Sequence, residues 1–170
     1  MESNMKKTQL TWRDSERLCQ EILRQITKDS WRPDIIVGIG RGGLMPAILI
    51  SQYLGVKMIS LDVSLRDGGD TVSNLGLAED AFEGQRILIV DDINDTGATF
   101  NWIMEDWRSS CLPDEKRWNN LVWNYNVRFA VVVDNLASKC NVKMDYSAVE
   151  INKAEDDIWI EFPWEKWWTK

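Results

Sequence analysis

Three carboxylates and two threonines share one short stretch, Asp91-Asp92-Ile-Asn-Asp95-Thr96-Gly97-Ala98-Thr99. It follows the apolar run Ile87-Leu-Ile-Val90, which reads as a buried strand. A Thr-Gly-x-Thr turn in that place can open a helix, whose first amides are unpaired and carry partial positive charge. Thr96, Gly97, Ala98 and Thr99, with Asp95 at the head of the turn, are expected to cradle a phosphate with amides and hydroxyls. Asp91 and Asp92 precede the cradle at the distance where ribose hydroxyls would lie. Carboxylates there accept from a diol and favour positive charge developing on a sugar ring. One acid would be an unremarkable helix-start cap. Three, after a buried strand, suit a ligand with a diol at one end and a phosphate at the other.

Gly38-Ile-Gly40-Arg41-Gly42-Gly43 forms a second glycine turn, after the apolar run Asp34–Ile39. It fits G-x-G-x-x-G, and Asp62 follows about 20 residues on, the spacing of a dinucleotide site. Against a nicotinamide-dependent oxidoreductase stand the short chain, the cation of Arg41 inside the turn, and a further phosphate-type turn two strands later. Arg41 with the amides of Gly42 and Gly43 could instead hold a dense anion.

Composition narrows the chemistry. Histidine is absent, which excludes Ser–His and Cys–His nucleophile systems and histidine-ligated zinc within the chain. Acid–base work must then fall to carboxylates, Lys, Tyr or water. The net charge of −7 argues against a nucleic-acid partner. It leaves room for a small anionic substrate, because local donors and a metal can reverse the field inside one cleft. No uncharged apolar run reaches the ~18 residues of a membrane span, so no membrane partner is expected. Cys19, Cys111 and Cys140 are odd in number and share no metal spacing. Reduced thiols and a cytoplasmic location follow as expectations.

The elements that must position these turns read as follows. Thr11 can cap a helix over 12–28 that sets Leu18, Ile22 and Ile26 on one face. A strand over 34–39 leads through the glycine turn to a helix over Leu44–Leu54, with Pro46 in its first turn and Gly55 at its end. Lys57–Val63 and Arg86–Val90 read as strands, separated by a polar segment, 64–84, that reads as a long loop holding Arg66 and Asp67. A helix over 97–109, an irregular insertion at 111–126 and a strand over Val127–Val133 follow. Two short strands, at 145–151 and 157–161, precede a tryptophan-rich end. This alternation predicts one α/β domain over 1–170, a mainly parallel doubly wound sheet with helices on both faces. Ligands of such sheets sit beyond the carboxyl ends of the strands, where both glycine turns fall. Trp102, Trp107, Trp118 and Trp123 are large apolar groups for loops and a helix, and an exposed cluster of them would predict a homodimer or higher homo-oligomer.

The run from the apolar strand through Asp91-Asp92 to Asp95-Thr-Gly-x-Thr99 resembles the phosphoribosyl-pyrophosphate (PRPP) motif of type I phosphoribosyltransferases. Arg41-Gly42-Gly43 resembles the pyrophosphate loop of that family, which often contains a non-proline cis peptide. Asp157-Ile-Trp-Ile-Glu-Phe-Pro-Trp-Glu165 resembles the C-terminal hood of its xanthine/guanine/hypoxanthine branch, here about 136–170. The resemblance implies Mg²⁺-dependent transfer of the phosphoribosyl group of PRPP to a 6-oxopurine, giving a nucleoside monophosphate and pyrophosphate in nucleobase salvage. It makes Asp95 the catalytic acid–base group, and Asp91 and Asp92 the ribose and metal ligands, with Glu165 as a further metal position. Trp159 would stack on the base and Ile160 would read its edge with backbone groups. For Trp164, Trp167 and Trp168, core packing or a subunit contact is the plainer role. Segment 64–84 stands where the family keeps a flexible lid, and a surface loop is the alternative. One departure concerns the base. Asn135 aligns with a lysine that contacts the purine 6-oxo group in related enzymes. Lysine only donates, whereas asparagine donates and accepts, so Asn135 fits a 6-oxo or a 6-amino group. This departure also keeps open a non-catalytic PRPP-binding regulator on the same fold.

Overall fold

The apolar runs of the sequence pair into one sheet. The computed structural model describes residues 5–63, 75–110 and 120–169. In chain order the elements are β1 Lys6–Gln9, α1 Trp12–Asp29, β2 Ile35–Gly40, α2 Leu44–Leu54, β3 Met58–Asp62, α3 Leu75–Phe82, β4 Ile87–Asn94, α4 Ala98–Ser110, β5 Val127–Asn135, β6 Tyr146–Ile151 and β7 Ile158–Glu161. A short 3-10 turn, Trp167–Thr169, follows β7. Five strands form a parallel sheet in the order β3-β2-β4-β5-β6.

Side chains alternate across this sheet, so each strand feeds two cores. Ile36, Leu88, Val90, Ala130 and Val132 face α1 and α2. Ile35, Val37, Ile89, Phe129 and Val131 face α3 and α4. Burial on both faces explains why the strands read as continuous apolar runs. The doubly wound α/β architecture expected from the alternation is the one observed.

Thr11 and Asp14 close a capping box at the start of α1, each side chain bonding the other's backbone N–H, at 3.0 and 2.9 Å. α2 keeps the bounds set by Pro46 and Gly55, and Gly55 closes it at φ 64°. Gly38 lets α2 lie close on β2, since a Cβ there would come within 2.8 Å of the Ala47 methyl.

Four readings change. β1, absent from the sequence-based assignment, pairs in parallel with β7 as a separate two-stranded sheet. Residues 75–82 of the expected loop 64–84 are helix α3, with Leu77, Ala78, Ala81 and Phe82 in the core. Residues 64–74 of that loop lie outside the described residues. Strands β4 and β5 run on to Asn94 and Asn135, past the expected ends at Val90 and Val133. Finally, of the tryptophans whose exposure would have marked an interface, Trp102, Trp107 and Trp123 pack in or against the core. Trp107 is fully buried, Trp123 packs on Trp107 and Phe129, and Trp102 packs against the same cluster. Trp118, with the rest of 111–119, lies outside the described residues.

Candidate active site

At the carboxyl ends of β2 and β4 the chain departs to opposite faces of the sheet, into α2 from one strand and into α4 from the other. Adjacent strands that diverge in this way leave a crevice between their exit loops. A cleft of about 1060 Å³ opens there, walled on its far side by β7 and the residues after it.

The β2–α2 turn forms one rim. Arg41 and Gly42 line the cleft, and the Gly40–Arg41 peptide is cis. Gly42 lies directly against the Asp92 carboxylate: a Cβ there would come within 2.0 Å of Oδ2, so the carboxylate would have to move. Gly43 departs from expectation. It is buried against β4, where a Cβ would meet the Val90 carbonyl oxygen at 2.5 Å. Its N–H donates to the Ile39 carbonyl at 2.9 Å, so that amide is committed within the turn and is not offered to an anion.

β4 supplies the acids. Because the strand continues to Asn94, Asp91 and Asp92 lie on a rigid element and not on a loop. Both line the cleft, and the Asp91 carboxylate accepts from the Asp92 N–H at 2.9 Å. Asn94, between them and Asp95, points its amide to Asp134 Oδ1 at 2.8 Å and Ser138 Oγ at 2.9 Å. Burial pushes the Asp134 carboxyl above its ordinary range.

Asp95, Thr96, Gly97, Ala98 and Thr99 complete the floor, the last two being the first residues of α4. Thr96 Oγ1 accepts from the Ala98 N–H at 3.3 Å. Gly97 has φ 85°, a left-handed conformation, and a Cβ there would lie 2.3 Å from the Cys140 nitrogen. The β5–β6 connection braces this turn from behind. Lys139 N–H donates to the Thr96 carbonyl at 2.9 Å, and Asn101 Nδ2 donates to the Lys139 carbonyl at 2.9 Å.

Trp159, Ile160 and Glu165 line the opposite wall, with Phe162 and Trp164 stacked beside them at 4.9 Å between ring centroids. Trp164 packs into the core beneath, while Trp167 and Trp168 are exposed.

Asn135 is not among the residues lining the cleft. It is buried behind the floor and its carboxamide is occupied. Nδ2 donates to the Asp95 carbonyl at 2.8 Å, and Oδ1 accepts from Ala137 N–H at 3.1 Å and Lys153 N–H at 3.0 Å. The side chain ties the phosphate turn to the turn after β6, and the base contact expected of it is corrected accordingly. Sequence reasoning missed Lys153. Its ammonium reaches the cleft, 2.8 Å from Asp95 Oδ1 and 5.7 Å from the Trp159 ring centroid. No spacing marks it, because it stands in an ordinary polar turn, Asn152-Lys-Ala-Glu-Asp156.

Among the described residues no three His, Cys, Asp or Glu side chains converge to cage a metal ion. Asp91, Asp92 and Glu165 line the cleft without forming one such cluster. Hard carboxylate oxygens spread along a phosphate-sized cleft still fit Mg²⁺, which is held by one or two carboxylates together with ligand phosphate oxygens.

Residues 5–166 match the model of the phosphoribosyl transferase domain. The chain belongs to the phosphoribosyltransferase family. It is similar to the hypoxanthine-guanine phosphoribosyltransferase of Schizosaccharomyces pombe, at 26% identity over 91% of this chain and 87% of that one. It is also similar to the xanthine-guanine phosphoribosyltransferase of Idiomarina loihiensis, at 27% identity over 92% and 85%. Among solved structures, the purine phosphoribosyltransferase of Pyrococcus horikoshii superposes with a TM-score of 0.67 at 27% identity, covering 95% of this chain and 96% of that one. Phosphoribosyltransferase membership removes the dinucleotide reading of Gly38–Gly43. No helix among the described residues is long and apolar enough to cross a membrane.

Proposed function

We propose that this phosphoribosyltransferase joins a 6-oxopurine (hypoxanthine, guanine or xanthine) to PRPP, giving a nucleoside monophosphate and pyrophosphate in cytoplasmic nucleobase salvage. One observation carries the reading: a phosphate-type helix entrance, three carboxylates and an indole face share a single cleft. The 5′-phosphate would rest on the turn from Asp95 to Thr99 at the entrance of α4, where the first amides have no partner within the helix and the Ala98 N–H is held by Thr96 Oγ1. Asp91 and Asp92 would receive the ribose hydroxyls. Arg41 and the turn at Gly42 would meet the pyrophosphate.

In the transfer, a nitrogen of the base forms its bond to C1′ as the bond from C1′ to the pyrophosphate oxygen breaks. The electron pair of the broken bond leaves with pyrophosphate. The carboxylates on β4 favour the positive charge that develops on the ribose ring. Asp95 takes the proton that the base gives up. Mg²⁺ would supply charge to the leaving pyrophosphate, with Asp91, Asp92 and Glu165 as the carboxylates within its reach.

A panel of radiolabelled xanthine, guanine, hypoxanthine and adenine with PRPP tests the reading. Nucleotide formed from the oxopurines supports it, and none from any of the four ends it. Asp95→Asn should lower kcat by about 10²–10⁴-fold and leave PRPP affinity nearly unchanged. Equal loss of both would contradict the proton-transfer role. The non-catalytic alternative rests on Asn135 and on the insertion at 111–126; the bonds of Asn135 to Asp95, Ala137 and Lys153 account for that residue without it, and residues 111–119 of the insertion lie outside the described residues. A homodimer or higher homo-oligomer remains part of the proposal, supported by exposed Ile48, Leu49 and Tyr53 on α2. Sedimentation velocity would test it.

A further inference from the structure

Gly43 leaves one end of the cleft short of donors for an anion. Its N–H is committed to the Ile39 carbonyl, so the β2–α2 turn offers the Arg41 side chain and the backbone at Gly42. Five carboxylates, Asp62, Asp91, Asp92, Asp95 and Glu165, line the same cleft. Three cations oppose them, Arg41, Lys153 and Lys166. Lys153 is taken by Asp95, 2.8 Å away. Arg41 and Lys166 have no ion-pair partner among the described residues.

Lys166 stands on the far wall, after β7, in a backbone conformation that needs a reason. Its φ is 45°, in the left-handed region that a residue with a Cβ seldom adopts. Among the described residues, two other non-glycine positions share that region. Ser30 ends α1, and Asn124 is of the type that tolerates it, so each has a local explanation. Lys166 has neither. It joins two hydrogen-bonded turns. Glu165 N–H donates to the Phe162 carbonyl at 3.0 Å. Thr169 donates to the Lys166 carbonyl from its N–H at 2.9 Å and from Oγ1 at 2.8 Å. Glycine would fill this joint without strain. A lysine in a glycine-like position beside a cleft points to a use for its side chain, because strained backbone gathers where a ligand needs a group held.

We propose, resting on the transfer set out above, that Lys166 is a second cation for the departing pyrophosphate, supplied from the wall opposite Arg41. As the bond from C1′ breaks, its electron pair stays on the pyrophosphate oxygen, and the charge growing on that group meets both cations. Lys166 gives hydrogen bonds and keeps its own proton. Its ammonium is a hydrated point charge on an exposed residue. The contact is therefore screened and of modest strength, which suits a group that must leave after each turnover.

Calorimetric titration with inorganic pyrophosphate and, separately, with ribose 5-phosphate, each with Mg²⁺ present, tests this on the unmodified protein, Lys166→Gly and Lys166→Arg. Lys166→Gly removes the ammonium and relieves the left-handed strain in one step. It should weaken pyrophosphate roughly tenfold, the low end for a hydrogen bond from a charged group. Ribose 5-phosphate should stay within about twofold, and the melting temperature should hold within about 2 °C or rise. Lys166→Arg keeps the charge and should bind pyrophosphate within about threefold of the parent. Pyrophosphate bound equally well by Lys166→Gly overturns the proposal. Equal weakening of both ligands also overturns it, since the residue would then only prop the cleft. Should Lys166→Gly melt well below the parent, Lys166→Gln, which keeps most of the stem, decides the matter. Selective loss of pyrophosphate affinity there supports the contact, and unchanged affinity overturns it. An unmodified protein that binds neither pyrophosphate nor ribose 5-phosphate would instead overturn the transfer reading, and this proposal with it.

Discussion

Replacing Asn135 with alanine removes three hydrogen bonds, to the Asp95 carbonyl, the Ala137 N–H and the Lys153 N–H, at 2.8, 3.1 and 3.0 Å. The residue is buried, so these bonds are made away from bulk water. At about 1 kcal/mol net for each bond, the sum is about 3 kcal/mol. Water entering from the adjacent cleft can restore part of the loss, which brings the expected destabilisation to about 2–3 kcal/mol. In a chain of this size each kcal/mol moves the melting temperature by ~2–4 °C, so a fall of about 4–12 °C is expected. Urea unfolding would give the free energy directly. Asn135→Asp keeps both acceptor roles but turns an oxygen toward the Asp95 carbonyl, and should destabilise at least as much at neutral pH. Both variants should lose turnover, because the Asp95 backbone is no longer held. A change below about 0.5 kcal/mol in Asn135→Ala, the range of an ordinary surface substitution, would refute the bridging role.

Gly97→Ala forces a left-handed residue to carry a Cβ 2.3 Å from the Cys140 nitrogen. The turn must shift, and the KM for PRPP should rise about tenfold or more while the protein still folds; an unchanged KM would detach this turn from the phosphate. The Arg86 side chain and backbone bond the Asp34 carboxylate and hold its pKa below the usual range. A lowered folded pKa gives stability that is present above the unfolded value of about 4 and is lost as pH falls through the folded one. Asp34→Asn should therefore be less stable than the parent at neutral pH, by no more than about 1 kcal/mol for so exposed a pair, and the gap should close in acid. Urea midpoints measured across pH 2–7 would show a constant gap if the ion pair were not its source.

The core and the acid-bearing turn were legible because each rests on local chemistry. Pro46 and Gly55 bracket α2, and the Ile87–Val90 run marks β4. What was hidden depends on partners distant in the chain. β1, Lys-Lys-Thr-Gln, is exposed at every position and has no apolar alternation, so only its pairing with β7 makes it a strand. Helix α3 is eight residues long with Gly76 near its start, too short for periodicity to separate it from the polar segment before it. Trp123 reads as part of an insertion until Trp107 and Phe129 are seen around it. The place of Asn135 behind the floor and that of Lys153 in the cleft were hidden for the same reason. The end of a strand can be located from sequence, but whether its last side chain faces a cleft or the packing behind it depends on elements still to come.

The pairing of β1 with β7 bears on the order of assembly. Gln9 and Glu161, joined across it, are separated by 152 positions. During synthesis β1 must wait for those 152 residues before its mate exists. The parallel sheet can gather in the meantime from segments much closer together, since closing a longer loop costs more entropy. The wall that carries Trp159 thus seats after the parallel sheet, and a ribosome stalled before residue 158 would leave a phosphate-binding floor with no roof for the base.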